Sequence, residues 1–260
     1  MQQYRIKDAV KSSEQLSAVE EIENALHDVA LPKKVKSQII YNVTSKLVND
    51  LFESEITSEK IHMTKQSVSK MLEGVIHDEI TIASLIEVSS YDYYTYTHCV
   101  NVAVYSVGLG KELGLAVREL ERLGSGGILH DLGKAKVDIA LINKPGKLTD
   151  EEFAKVKDHP ALGYDLLRKL HEDDQVILSI VRHHHEKLNG KGYPDGLMAE
   201  GIDVYARITA IADIFDALTT KRSYKPALST FEALDLMHHQ MAGELDPKLL
   251  NLFILMMGKK

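Results

Sequence analysis

Apolar residues in this chain recur at three- and four-residue spacing, and stretches that alternate apolar with polar residues, as a half-buried strand would, are nearly absent. Leu16, Val19, Ile22 and Leu26 form one such stripe, and Ile39, Val43, Leu47 and Leu51 form the next. Side chains three and four apart share one face only when the backbone is helical. The expected fold class is therefore all-α. With 260 residues, 44% of them hydrophobic, the chain can bury a core and still carry an accessory segment.

The texture of the sequence divides it in two. Residues 1–88 read as a smaller helical segment that regulates, links or dimerises, with Pro32 breaking its first pair of helices and Ser58 opening a polar-rich third. Residues 89–260 carry the chemistry. There the cluster YDYYTYTH leads into a helix on which His98, Val102, Tyr105 and Leu109 share a face, with Gly114 as its stop. Thr149 and Glu152 make a capping box that opens a helix running up to His159-Pro160. Further helices are expected over residues 118–129, 161–170, 176–184 and 206–220.

Composition narrows the partners. A net charge of −7 argues against binding polynucleotide through a general basic surface, which needs many phosphate-neutralising Lys and Arg. It leaves a small anionic ligand open. Cys99 is the only cysteine, so neither an internal disulfide nor a cysteine-based zinc site can form, and a cytoplasmic setting suits the chain. The opening MQQYRIKDAVKSSEQ lacks the apolar core of a signal peptide, and no stretch approaches the roughly 18 apolar residues of a membrane span.

Histidine is the residue that stands out. Of twelve, seven lie between His98 and His185. In chain order the candidate ligands are His98, the pair His130-Asp131, His159, the pair His184-His185, and Asp213. Seven imidazoles and carboxylates are enough for two metals, and a carboxylate between two cations can bridge them. Cys99, beside His98, is turned about 100° from it on a helix and is expected in the core. His27, His62, His77, His171, His238 and His239 lack matching partners and are expected at the surface, and His183 is expected to be exposed.

The letters around these ligands carry a resemblance. HDLGK, KPGKLTDEEF followed by HP, HHEKLNGKGYPDG and IADIFDALTTKRSYK stand in the order in which they occur in the HD-GYP domain, a branch of the HD metal-dependent phosphohydrolases, over roughly residues 91–242. The resemblance implies an all-helical core holding divalent transition metals, iron or manganese by preference and nickel, zinc or cobalt as options. It implies hydrolysis of cyclic di-GMP to pGpG and on to GMP. Carried over by position, His98, His130 and Asp213 would hold one metal, His159, His184 and His185 the other, and Asp131 both. Lys134 would contact the scissile phosphate, and Asp92, Tyr193, Arg222 and Lys225 would hold the rest of the nucleotide.

Two positions depart from the fullest pattern. Tyr94 stands where some members place a glutamate that helps hold a third metal, so a dinuclear site is expected. Asn189 stands where many have aspartate, and its amide would preserve a turn hydrogen bond. Glu186 and Asp216 are expected to orient a ligand imidazole or a loop amide rather than to bind metal. Two other readings remain: preference for another cyclic dinucleotide such as cyclic GMP-AMP, and a catalytically idle module that binds nucleotide or a GGDEF-type partner. A homodimer through residues 1–88 is a further open option.

Overall fold

The computed structural model describes residues 18–89, 95–142, 144, 146–220 and 227–258. Asp92, Tyr94, Arg222 and Lys225 lie outside the described residues. Among those described, the secondary structure is helical, with two isolated bridges and no strand. None of the helices is long and apolar enough to cross a membrane. The chain divides into two compact units, residues 1–89 and 90–260.

In the first unit, α1 covers residues 18–27, followed by α2 (Lys33–Glu53), α3 (Ser58–Ile76) and α4 (Ile82–Ser89). α2 packs against α3 and α4. The buried stripe of α2 runs Ile40, Val43, Leu47 and Leu51; Ile39 sits at its edge, so the face is centred one residue later than the spacing suggested. Lys36 is buried with this stripe and donates to the carbonyl of Leu26 while pairing with Glu79. Its charge thus meets a carbonyl near the end of α1, where a cation is favoured.

The second unit is organised around α5 (Thr95–Leu113), which packs against α6 (Val117–Leu129), α11 (Val204–Thr219) and α13 (Pro247–Met257). Tyr105, Phe215 and Phe253 meet edge to face at its centre. Gly114 ends α5 at φ +87°, as its position implied. The capping box of Thr149 and Glu152 opens α8 (Asp150–Lys157), with α7 (Ile139–Ile142) before it and α9 (His159–Lys169) after it. Past residue 220 two helices went unread in the sequence: α12 (Thr230–Gln240), opened by a Ser229–Glu232 capping box, and α13, opened by Asp246 and Pro247.

Glycines bring the site-bearing elements together. At the end of α6, a Cβ on Gly126 would lie 2.4 Å from the Ile180 side chain of α10 (Gln175–His183), and one on Gly127 would lie 3.0 Å from Ala103 Cα of α5. A 3₁₀ turn, Leu132–Lys136, follows His130 and packs on α9. There a Cβ on Gly133 would fall 1.9 Å from the His159 carbonyl oxygen and 2.5 Å from Gly163 N. Gly133 therefore serves a backbone-to-backbone approach.

That contact sets a ranking of substitutions. Gly133→Ala must separate the 3₁₀ turn from α9 and is expected to cost about 3 kcal/mol, the upper end for overpacking. Gly114→Ala meets nothing within 4 Å and should cost about 1 kcal/mol through its left-handed backbone alone. Urea denaturation midpoints of the two variants check the order.

Candidate metal centre

His130 and Asp131 leave α6 at its C-terminal end, His98 comes from α5, His159 from the start of α9, His184 and His185 from the end of α10, and Asp213 from α11. These seven side chains converge. His98, His130 and Asp213 form one group, and Asp131, His159, His184 and His185 form another; within each group the candidate ligand atoms lie within 4.8 Å of one another. Asp131 stands between them. Its Oδ2 is 3.4 Å from His130 Nε2 and 3.7 Å from His98 Nε2, while its Oδ1 is 3.2 Å from His159 Nε2 and 3.9 Å from His184 Nε2.

Four of the imidazoles are oriented by their other nitrogen. Nδ1 of His130 donates to Gly127 O at 2.6 Å, Nδ1 of His159 to Val156 O at 2.8 Å, and Nδ1 of His184 is shared between Ile180 O and Val181 O at 3.1 Å. His98 Nδ1 donates to Asp216 Oδ2 at 2.6 Å, and Asp216 Oδ1 accepts from the Asn101 side chain at 2.7 Å. For His130, His159 and His184, fixing the proton on Nδ1 leaves Nε2 as a bare lone pair pointing inward. Asp216 thus takes the orienting role expected of it. Asn101 was missed, although it stands three residues after His98 on the same helix.

The consequence is a set of donors with nothing to bind among themselves. His130 Nε2 and Asp131 Oδ1 are buried and have no hydrogen-bond partner. His159 Nε2 and His184 Nε2 face each other at 3.3 Å with both protons committed elsewhere. Buried polar atoms left this way cost free energy unless a cation satisfies them. The residues present therefore fit divalent metal, and the donor set, imidazole with carboxylate, suits first-row transition ions.

Electrostatics prepare the same state. Burial opposes ionised Asp131, yet Lys134 and His130 outweigh it and hold the carboxyl well below the usual carboxylate range. For Asp213 burial is overcome first by the hydrogen bond from His98. Burial keeps His184 neutral, helped by His185 and His130, and drives His185 down to about 3. His98 goes the other way. Burial lowers it, but hydrogen bonds to Asp213 and Asp216 raise it to about 9, so without metal it holds a proton that ligation must release.

Around this centre, Lys134 places its ammonium on Asp131 Oδ2 and is a quarter exposed. The Tyr193 ring lies over His185, centroids 4.7 Å apart at 30°. Glu186 is buried and accepts from the amides of Asp195, Gly196 and Leu197, so it orients loop amides. Asn189 Oδ1 accepts from Lys191 N at 3.0 Å, the turn bond expected of an amide there. Cys99 is fully buried in the core, and His27, His62, His77, His171, His238 and His239 are exposed. His183 differs from expectation: it is half-buried and meets Asp195 Oδ2 at 3.0 Å.

The family model described as HD domain matches residues 50–249. A cyclic di-GMP phosphodiesterase of Pseudomonas aeruginosa is 35% identical over 191 residues, 74% of this chain and 46% of that protein. A 3′3′-cGAMP-specific phosphodiesterase of Vibrio cholerae is 33% identical over 184 residues, 70% of this chain and 42% of that protein. The chain thus spans about half the length of the curated relatives it matches. Among solved structures, an HDG"Y"P protein from Bdellovibrio bacteriovorus superposes with a TM-score of 0.77 at 22% identity, covering 92% of this chain and 77% of that one, and shares its fold.

The orienting bond of His98 has a measurable consequence. Asp216→Ala removes the acceptor of His98 Nδ1 and is expected to weaken divalent-metal affinity about 10- to 100-fold. Competition against a chelator reads it, and unchanged affinity would show that Asp216 does not govern His98.

Proposed function

The chain belongs to the HD domain family, and on that premise we propose that it is a metal-dependent phosphodiesterase that opens cyclic di-GMP to the linear dinucleotide pGpG and on to GMP. The observation that carries this reading is Asp131: one buried carboxylate turned toward two groups of inward-facing imidazoles, with its own Oδ1 unsatisfied. In this reading His98, His130 and Asp213 hold one metal, His159, His184 and His185 the other, and Asp131 bridges them. Iron or manganese is the preferred pair, with nickel, zinc or cobalt acceptable to the same donors.

When bound, such a pair supplies Lewis acidity toward the phosphate and a water acidified to near neutral pH. No side-chain nucleophile is then required. Lys134 lies at the edge of the centre with its charge already fixed, and a donor held in advance is what stabilises charge developing on phosphoryl oxygens. The flat face of Tyr193, stacked on His185, offers a guanine a surface beside the reacting phosphate. Asp92, Arg222 and Lys225 complete the nucleotide contacts by resemblance. Residues 1–88 are then the regulatory or dimerising segment, and a GGDEF-type protein is the partner the reading suggests.

A second substrate has a specific observation in its favour, since the Vibrio relative is named for 3′3′-cGAMP. Base choice depends on the shape of the nucleotide pocket, so the two dinucleotides are compared directly. Protein purified without oxygen is expected to carry stoichiometric metal and to yield pGpG from cyclic di-GMP faster than it opens cyclic GMP-AMP. Asp131→Ala should abolish hydrolysis of both. Stoichiometric metal with turnover of neither would instead favour a nucleotide-binding module, and normal turnover by the variant would refute the bridging role.

A further inference from the structure

The end of α10 sends neighbouring residues to different tasks. His184 and His185 face the metal centre. Arg182 and His183 turn away from it and meet Asp195, with Arg182 Nε on Oδ2 at 2.7 Å, Nη2 on Oδ1 at 2.8 Å, and His183 Nε2 on Oδ2 at 3.0 Å. Glu186 then takes three amides of the same loop, at 2.7 Å from Asp195, 3.0 Å from Gly196 and 3.0 Å from Leu197. The loop is held at two kinds of point: its backbone by Glu186 and the Asp195 side chain by Arg182 and His183.

Two residues before Asp195 stands Tyr193. Its amide donates to His185 O at 3.3 Å, and its ring lies over the His185 ring. Gly192 lets this happen, since a Cβ there would lie 2.4 Å from Glu186 Cα. Arg182 in turn is braced, with its guanidinium 5.2 Å from the Tyr164 ring centroid of α9. α9 begins with His159 and α10 ends beside His184, so the anchor of the loop is built on two helices that also carry the metal-facing imidazoles.

We infer that Arg182 is a positioning residue for substrate binding: its two-pronged grip on Asp195 sets where the loop holds Tyr193 over the centre. The inference rests on the reading above that Tyr193 meets the nucleotide. A contribution to global stability does not explain the pair. Arg182 and Asp195 side chains are 28% and 32% exposed, so water screens their attraction and its contribution to folding is modest. What the planar fork does provide is geometry, because two parallel bonds fix both distance and orientation where a single ammonium would fix only distance.

The test uses the full, metal-loaded chain. Arg182→Ala is expected to raise KM for cyclic di-GMP about tenfold with kcat changed less than about threefold, as for lost uniform binding, and with metal stoichiometry and denaturation midpoint unchanged. The Arg182→Ala/Asp195→Ala double variant should be no worse than Asp195→Ala alone, because losing Asp195 already breaks the Arg182 contact. An unchanged KM, or single effects that multiply in the double variant, would overturn the inference. A second arm does not need turnover. The chain has no tryptophan, so Tyr193→Trp creates a single fluorescent probe in the loop, and adding Arg182→Ala should make it more readily quenched by acrylamide. Unaltered quenching also overturns the inference. Failure of the unmodified protein to open any cyclic dinucleotide would count against the proposed function, and the fluorescence arm would then decide the clamp alone.

Discussion

Everything in the second unit depends on keeping ionised carboxylates inside a helical core. Asp131 and Asp213 are buried, and Asp216 is buried beside His98. An isolated ion in such a place costs several kcal/mol, and attraction offsets that only where geometry and hydrogen bonds are both good. The chain supplies one lysine, Lys134, and one imidazole with a raised proton affinity, His98. Around these acids lie buried polar atoms with no hydrogen-bond partner, His130 Nε2 and Asp131 Oδ1. Divalent metal relieves both the charge and the lone pairs, which is why the same residues that make the core costly also make it a binding site.

Packing makes that arrangement possible. Large side chains at Gly126, Gly127 or Gly133 would hold α6 and the 3₁₀ turn away from α5, α9 and α10. The carbonyls that receive His130, His159 and His184 are helix carbonyls three or four residues earlier, of α6, α8 and α10 in turn. For these three the Nε2 direction follows from a backbone hydrogen bond, whereas His98 is aimed by the Asp216 side chain.

The sequence carried the helical class, the ligand types and their order, because period and residue chemistry are local properties. His98, His130, Asp131, His159, His184, His185 and Asp213 could be named from motifs, and the structure brings them together. Asn101 could not, since its partner Asp216 is 115 positions away and only the fold makes them neighbours. The close backbone approach at Gly133 leaves no trace in one strand of letters. His183 was assigned to solvent from helical spacing alone. The spacing was right in turning it from the candidate metal centre, and the error lay in not seeing that a loop 12 residues later would cover it.

That last case explains how five consecutive residues, Arg182 to Glu186, can serve three ends. α10 stops at His183, so the regular 100° rotation lapses at the point where the ligands begin. His184 still bonds back to Ile180 and keeps a helical direction, whereas His185 and Glu186 follow the chain as it turns into the loop. A longer helix would have carried Glu186 round beside Arg182 and left the loop amides without an acceptor. Ending α10 at this residue is what lets adjacent side chains face the candidate metal centre and the loop beside it at the same time.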